Sequence, residues 1–252
     1  PSYNLNTNGA SNLGGGLYLT NTTVFNAMGN LIVSTNGAFN GGGAAYVNGS
    51  ALTVGPGGSA FSPELGGAND ASNGDGGGIF AENGAQVALY NVRLGSPVNG
   101  NRAAGDGGGL YADGSQVLLR DTRVVSNAAG SDGGGVYAAN GSEVVIDASY
   151  SGLLGPGCDP FTLAADTYCS EMRDNRADNR GAGLYAENSI VSVADTAFID
   201  NVGLSPGTSP GTAIMVEPDA SVTVRNGLFT GHGTNGNTAV HVFSDGRYVS
   251  IQ

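Results

Sequence analysis

The stretch SDGGGVYAANGSEVVID, residues 131–147, decides the fold. Three glycines precede an aliphatic residue and a tyrosine. The turn pair Asn140-Gly141 follows, then a run in which Val144 and Ile146 alternate with other residues. Glycine reaches backbone angles closed to other residues, Asn-Gly is turn chemistry, and period-two apolar residues mark a strand with one buried face. The same order recurs as GDGGGLYADGSQVLLRD at 105–121 and GDGGGIFAENGAQVALY at 74–90, and more loosely as RGAGLYAENSIVSVAD at 180–195. Self-similarity of this kind marks a repeat architecture.

Aligned on the residue before the aliphatic position, the copies anchor at Gly16, Gly43, Gly78, Gly109, Gly135, Gly183, Ala213 and Ala239. The shortest steps, Gly109 to Gly135 and Ala213 to Ala239, span 26 residues. Three short strands per unit and eight units suit a coil whose turns stack on one another, each burying its apolar side against its neighbours. The sequence therefore predicts an all-β chain: one right-handed parallel β-helix over residues 1–252, of about eight turns with loop insertions, cut from a longer rod. At about 4.8 Å per turn the rod is roughly 40 Å long.

The pattern assigns side chains to faces. Leu17, Ile79, Leu110, Val136, Leu184, Ile214 and Val240 share one parity and point inward. So do Leu19, Ala81, Ala112, Ala138, Ala186, Val216 and Val242. The opposite parity gives an outward aromatic column, Tyr18, Phe80, Tyr111, Tyr137 and Tyr185, continued by Met215 and His241. Acids follow two residues later at Glu82, Asp113, Glu187 and Glu217. Stacked rings stabilise one another, and an exposed aromatic strip also suits sugar rings or a partner surface. These eight aromatic and acidic residues from Tyr18 to Glu187 form the candidate ligand-binding ladder. A further column, Asn40, Asp75, Asp106, Asp132 and Arg180, precedes the glycines. Its carboxylates suit backbone N–H groups at the corner. Asp75, Asp106 and Asp132 are alternatively oxygen ligands for calcium, the one cofactor the sequence suggests.

Composition narrows the function classes. The chain has 45 glycines in 252 residues, no lysine, no tryptophan and a net charge of -12. Its nine arginines form no basic stripe, which argues against nucleic-acid binding. No apolar run is long enough for a membrane-spanning helix. Cys158 and Cys169 lie close together and suit a disulfide, hence an extracellular or cell-surface location.

Gly77-Gly78-Ile79, Gly108-Gly109-Leu110, Gly134-Gly135-Val136 and Ala182-Gly183-Leu184, with Phe198-Ile199-Asp200-Asn201 and the weaker Val124-Val125-Ser126-Asn127, carry a family resemblance. The repeat resembles autotransporter passenger domains, in particular those of polymorphic outer-membrane proteins. The resemblance implies a surface-exposed β-helical rod acting as an adhesin or structural element. Its partners would be a protein or glycan on a host or neighbouring cell.

Catalytic patterns are sparse. Of the polygalacturonase elements only Gly231-His232-Gly233 is present, and no lysine serves as a lyase base. The glycine triplets do not open helices, so they cradle no phosphate. The sequence thus predicts a non-catalytic rod, with a filament subunit stacked through uncapped ends and a polysaccharide-active enzyme as alternatives. Insertions are expected at 55–75, 95–105, 152–180 and 203–211, all at one corner. The longest holds both cysteines and EMRDNRADNR, and is the candidate recognition loop.

Overall fold

A computed structural model describes residues 2–55, 63–148, 170–204, 212–232, 239–242 and 249–251. Cys158 and Cys169, and with them the expected disulfide, lie outside these residues. The described residues form strands and no helix, wound into a parallel β-helix of seven complete turns and most of an eighth. Each turn contributes one strand to each of four sheets, I to IV in chain order. In the fourth turn these strands are Arg93–Gly95, Arg102–Ala103, Leu110–Asp113 and Gln116–Arg120. The chain then returns at Arg123–Val125, beside and parallel to Arg93–Gly95.

The register superimposes like on like. In sheet IV, Val87, Val117, Val144, Val191 and Val222 are successive partners. In sheet III, Ile79, Leu110, Val136, Leu184 and Ile214 stack in one column, and Ala81, Ala112, Ala138, Ala186 and Val216 in the next. All ten are buried in one long core, the inward placement that their parity predicts. Alanine in the second column leaves room for the bulkier residues of sheets I and IV in a narrow, close-packed interior.

Left-handed residues turn the corners. Asn91, Asp121, Asp195 and Asn226 have φ near +50° between sheets IV and I, and Ser126, Asp174 and Asp200 do so between sheets I and II. Asn and Asp tolerate this conformation better than other side-chain-bearing residues. The glycine triplet between sheets II and III divides the work. The first glycine, such as Gly133 at φ +65°, supplies the bend. The second and third allow close stacking: a Cβ on Gly134 would meet the Arg176 carbonyl oxygen of the next turn, and one on Gly135 would lie 2.5 Å from that of Gly183.

Three expectations need correction. First, each turn has four strands, because dipeptides ending in the buried alanines Ala38, Ala71, Ala103, Ala129 and Ala177 form a two-residue sheet II inside what reads as polar loop. Second, the second repeat is shifted by one residue. Leu17 pairs with Ala45 and Tyr18 with Tyr46, so Ala44, not Gly43, matches Gly16. The same shift removes Asn40 from the aspartate column, where Gly41 pairs with Asp75. Third, regular strands re-enter the expected insertions. Glu64–Leu65 and Asp70–Ala71 lie within 55–75, Arg102–Ala103 within 95–105, and Ser170–Arg173 and Arg176–Ala177 within 152–180. The expected insertions do not share one corner: in chain order 56–62 and 149–169 come between strands of sheets IV and I, 96–101 between strands of sheets I and II, and 205–211 between strands of sheets II and III.

Candidate functional site

Sheet III carries the candidate site on its outer face. Tyr18, Tyr46, Phe80, Tyr111, Tyr137 and Tyr185 are consecutive register partners, followed by Met215 and His241. Tyr46 belongs to this column and escapes a reading aligned on glycines; aligning the second repeat on its tyrosine finds it. Successive ring centroids lie 5.2, 5.6, 5.0, 5.0 and 4.8 Å apart. The tyrosine pairs stack nearly face to face, whereas Phe80 stands edge-on to both neighbours. Gly41 makes room for that ring, since a Cβ there would lie 2.5 Å from it.

The ladder is not an open platform along its length. Tyr18 is 58% exposed, Phe80 and Tyr111 are half-buried, and Tyr137 and Tyr185 are only 6% and 2% exposed. The acids answer the rings across turns. Tyr46 donates its hydroxyl proton to Glu82 Oε1, which also accepts from Asn48 Nδ2 at 2.6 Å. Tyr137 is hydrogen-bonded to Glu187, and the Tyr185 hydroxyl donates to Glu217 Oε1 at 2.8 Å. Asp113 instead accepts from Asn140 Nδ2 at 2.8 Å. Burial pushes the phenols of Tyr46, Tyr111, Tyr137 and Tyr185 up, Tyr46 to about 12, and the neighbouring carboxylates Glu82 and Glu187 add to the effect at Tyr46 and Tyr137. These four tyrosines are therefore proton donors at every ordinary pH.

The aspartate column runs beside the rings. Asp75 Oδ1 accepts the Asp106 N–H at 2.7 Å, Asp106 Oδ1 that of Asp132 at 2.9 Å, and Asp132 Oδ1 that of Arg180 at 2.8 Å. Burial raises all three carboxyl groups above their ordinary range, against the lowering effect of these bonds. Arg180 ends the column with a charge of opposite sign. Its guanidinium reaches Asp132 Oδ2 at 3.2 Å, pairs with Glu217, and lies 5.0 Å from the centre of the Tyr185 ring. One side chain thus joins the fifth, sixth and seventh turns. Among the described residues, no group of three or more His, Cys, Asp or Glu side chains is arranged to hold a metal ion.

His232, the centre of the lone Gly-His-Gly match, is spent on the backbone. Its Nε2 lies 3.0 Å from the Phe198 carbonyl oxygen, and burial lowers its pKa. A neutral ring donates to that carbonyl, on the strand Thr196–Ile199 of sheet I.

The interior holds a polar line that the sequence reading does not single out as a ladder. Asn36, Asn69, Asn101, Asn127, Asn175 and Asn201 stack at the corner of sheets I and II, all buried. Each side-chain oxygen accepts from the preceding asparagine, as Asn127 Oδ1 does from the backbone N–H and Nδ2 of Asn101 at 3.1 and 3.0 Å. Each Nδ2 also reaches a strand carbonyl, as Asn127 does at Leu94 O, 3.0 Å. The signal is a small or polar residue followed by asparagine: Thr35-Asn36, Ala68-Asn69, Gly100-Asn101 and Ser126-Asn127, each ahead of a glycine triplet, and Asp174-Asn175 and Asp200-Asn201, where the triplet is degenerate.

The site is therefore a strip of rings and carboxylates bonded from turn to turn, exposed chiefly at Tyr18. The chain matches no protein-family model, no curated protein and no solved structure.

Proposed function

We propose that the chain is a non-catalytic β-helical rod outside the cell, serving as a surface adhesin or structural fibre element. One observation carries this reading: the acids of the candidate ladder are committed to neighbouring turns. Glu82, Glu187 and Glu217 hold tyrosine hydroxyls, and Asp75, Asp106 and Asp132 hold backbone N–H groups. Glycoside hydrolysis needs a proton-donating acid and a second carboxylate facing one sugar. Side chains already occupied in holding turns together support a scaffold instead. The resemblance to autotransporter passengers supports the same reading, and makes a protein or glycan on another cell the partner.

The test pairs two assays on the same purified chain. Binding to a glycan array or to cells, without release of reducing or unsaturated sugar ends from any polysaccharide retained, is the expected outcome. Sugar-end release abolished by Glu187→Gln or Asp113→Asn would replace the rod with an enzyme.

A further inference from the structure

The first two turns present a pair of tyrosines unlike any other in the ladder. Tyr18 and Tyr46 are register partners, stacked at 5.2 Å with 19° between ring planes. The Tyr18 ring is 58% exposed to solvent, while Tyr46 is buried with its hydroxyl proton directed at Glu82. The other stacked tyrosines, Tyr111, Tyr137 and Tyr185, are each half-buried or buried. The chain has no tryptophan to compete for one-electron oxidants.

We propose that Tyr18 and Tyr46 are an oxidative cross-linking site, joined by a one-electron oxidant such as a peroxidase with hydrogen peroxide into a dityrosine that ties the first turn to the second. Each phenol loses one electron and one proton. The Tyr18 proton leaves to water, and that of Tyr46 passes to the Glu82 carboxylate already accepting its hydrogen bond. The two radicals carry spin on the ring carbons ortho to oxygen, and one carbon–carbon bond forms between those carbons. The two displaced ring hydrogens restore the phenols. One hydrogen peroxide takes up the two electrons and two protons lost overall, and becomes two water molecules. Stacking in register supplies the proximity, so the reaction is intramolecular and needs no collision between chains.

Met28 lies between the two tyrosines and allows a direct test. The chain is treated with peroxidase and limiting hydrogen peroxide, any methionine sulfoxide is reduced, and the product is cleaved at methionine with cyanogen bromide. Dityrosine fluorescence should appear in the monomer, and the fragment 1–28 should stay attached to the fragment carrying Tyr46, with a mass lower by two hydrogens. Tyr18→Phe, at an exposed ring that burial does not constrain, should lose both signals, and Tyr46→Phe likewise. Tyr3→Phe should keep them, although Tyr3 is also exposed. A freely released 1–28 fragment, dityrosine confined to dimers, or an undiminished signal in Tyr18→Phe would each overturn the proposal.

Discussion

Asp106 shows how one residue is held between opposing demands. It accepts the Asp132 N–H, yet it is half-buried and stands one turn from Asp75 and Asp132. Like charges at such spacing repel by about 1 kcal/mol even in water. Burial places the folded-state carboxyl values of Asp75, Asp106 and Asp132 above the ordinary value. The folded chain therefore binds protons here more readily than the unfolded chain. The contribution of these groups is greatest below the ordinary carboxyl range and is lost as pH rises through the raised values. Asp106→Asn keeps an oxygen for the Asp132 N–H and removes the charge. Its melting temperature at neutral pH should rise, by the equivalent of about 1 kcal/mol, and should depend less on pH than that of the parent above about pH 4, the ordinary carboxyl value. A variant less stable than the parent at neutral pH would show that the charge is needed.

At the level of the strand and its corner, the asparagine line is the strongest internal constraint. Asn127→Ala leaves the N–H and Nδ2 of Asn101 without their acceptor and the Leu94 carbonyl without its donor, all in a buried setting. Each orphaned group costs about 1–3 kcal/mol, so a loss of at least about 3 kcal/mol is expected, read as a lower urea midpoint; a change below about 1 kcal/mol would mean that water replaces the amide. This line also marks where the sequence stops being legible. Sheets III and IV are plain in it, because Val117, Leu119, Leu110 and Ala112 alternate over four or five residues. Sheet II is not: Arg102–Ala103 and Ala128–Ala129 are too short to show a period. The aromatic column was readable except at Tyr46, because Gly41-Gly42-Gly43-Ala44-Ala45 offers two alignments and only the tyrosine distinguishes them. Which rings are covered was not readable at all. Tyr46, Tyr137 and Tyr185 are covered while Phe80 and Tyr111 are only half-buried, and the cover comes from neighbours in other turns, Glu82 at Tyr46 and Glu217 at Tyr185 among them.

For the molecule as a whole, the described strands pair with those of the turns beside them, so stability accumulates by nearest-neighbour terms. The middle turns have buried neighbours on both sides; the first exposes Tyr3, Tyr18, Val24 and Met28. Hydrogen exchange should follow this gradient. Amides of Ile79–Glu82, Leu110–Asp113 and Val136–Ala139 should be the last to exchange, and those of Leu17–Leu19 and Val24–Met28 among the first. Uniform protection along the chain would mean that the coil opens as one unit.

The corner residues with left-handed backbones bring the chain, after each circuit, back to the same heading, beside the strand from which it set out and one strand spacing further along. A circuit copied or excised at equivalent corners would leave the adjoining ones able to meet in the same way. Reach can then change in increments of one circuit by duplication or loss of a short gene segment, with no new contact to invent. Selection on such a chain acts on how far it extends as readily as on what its surface displays.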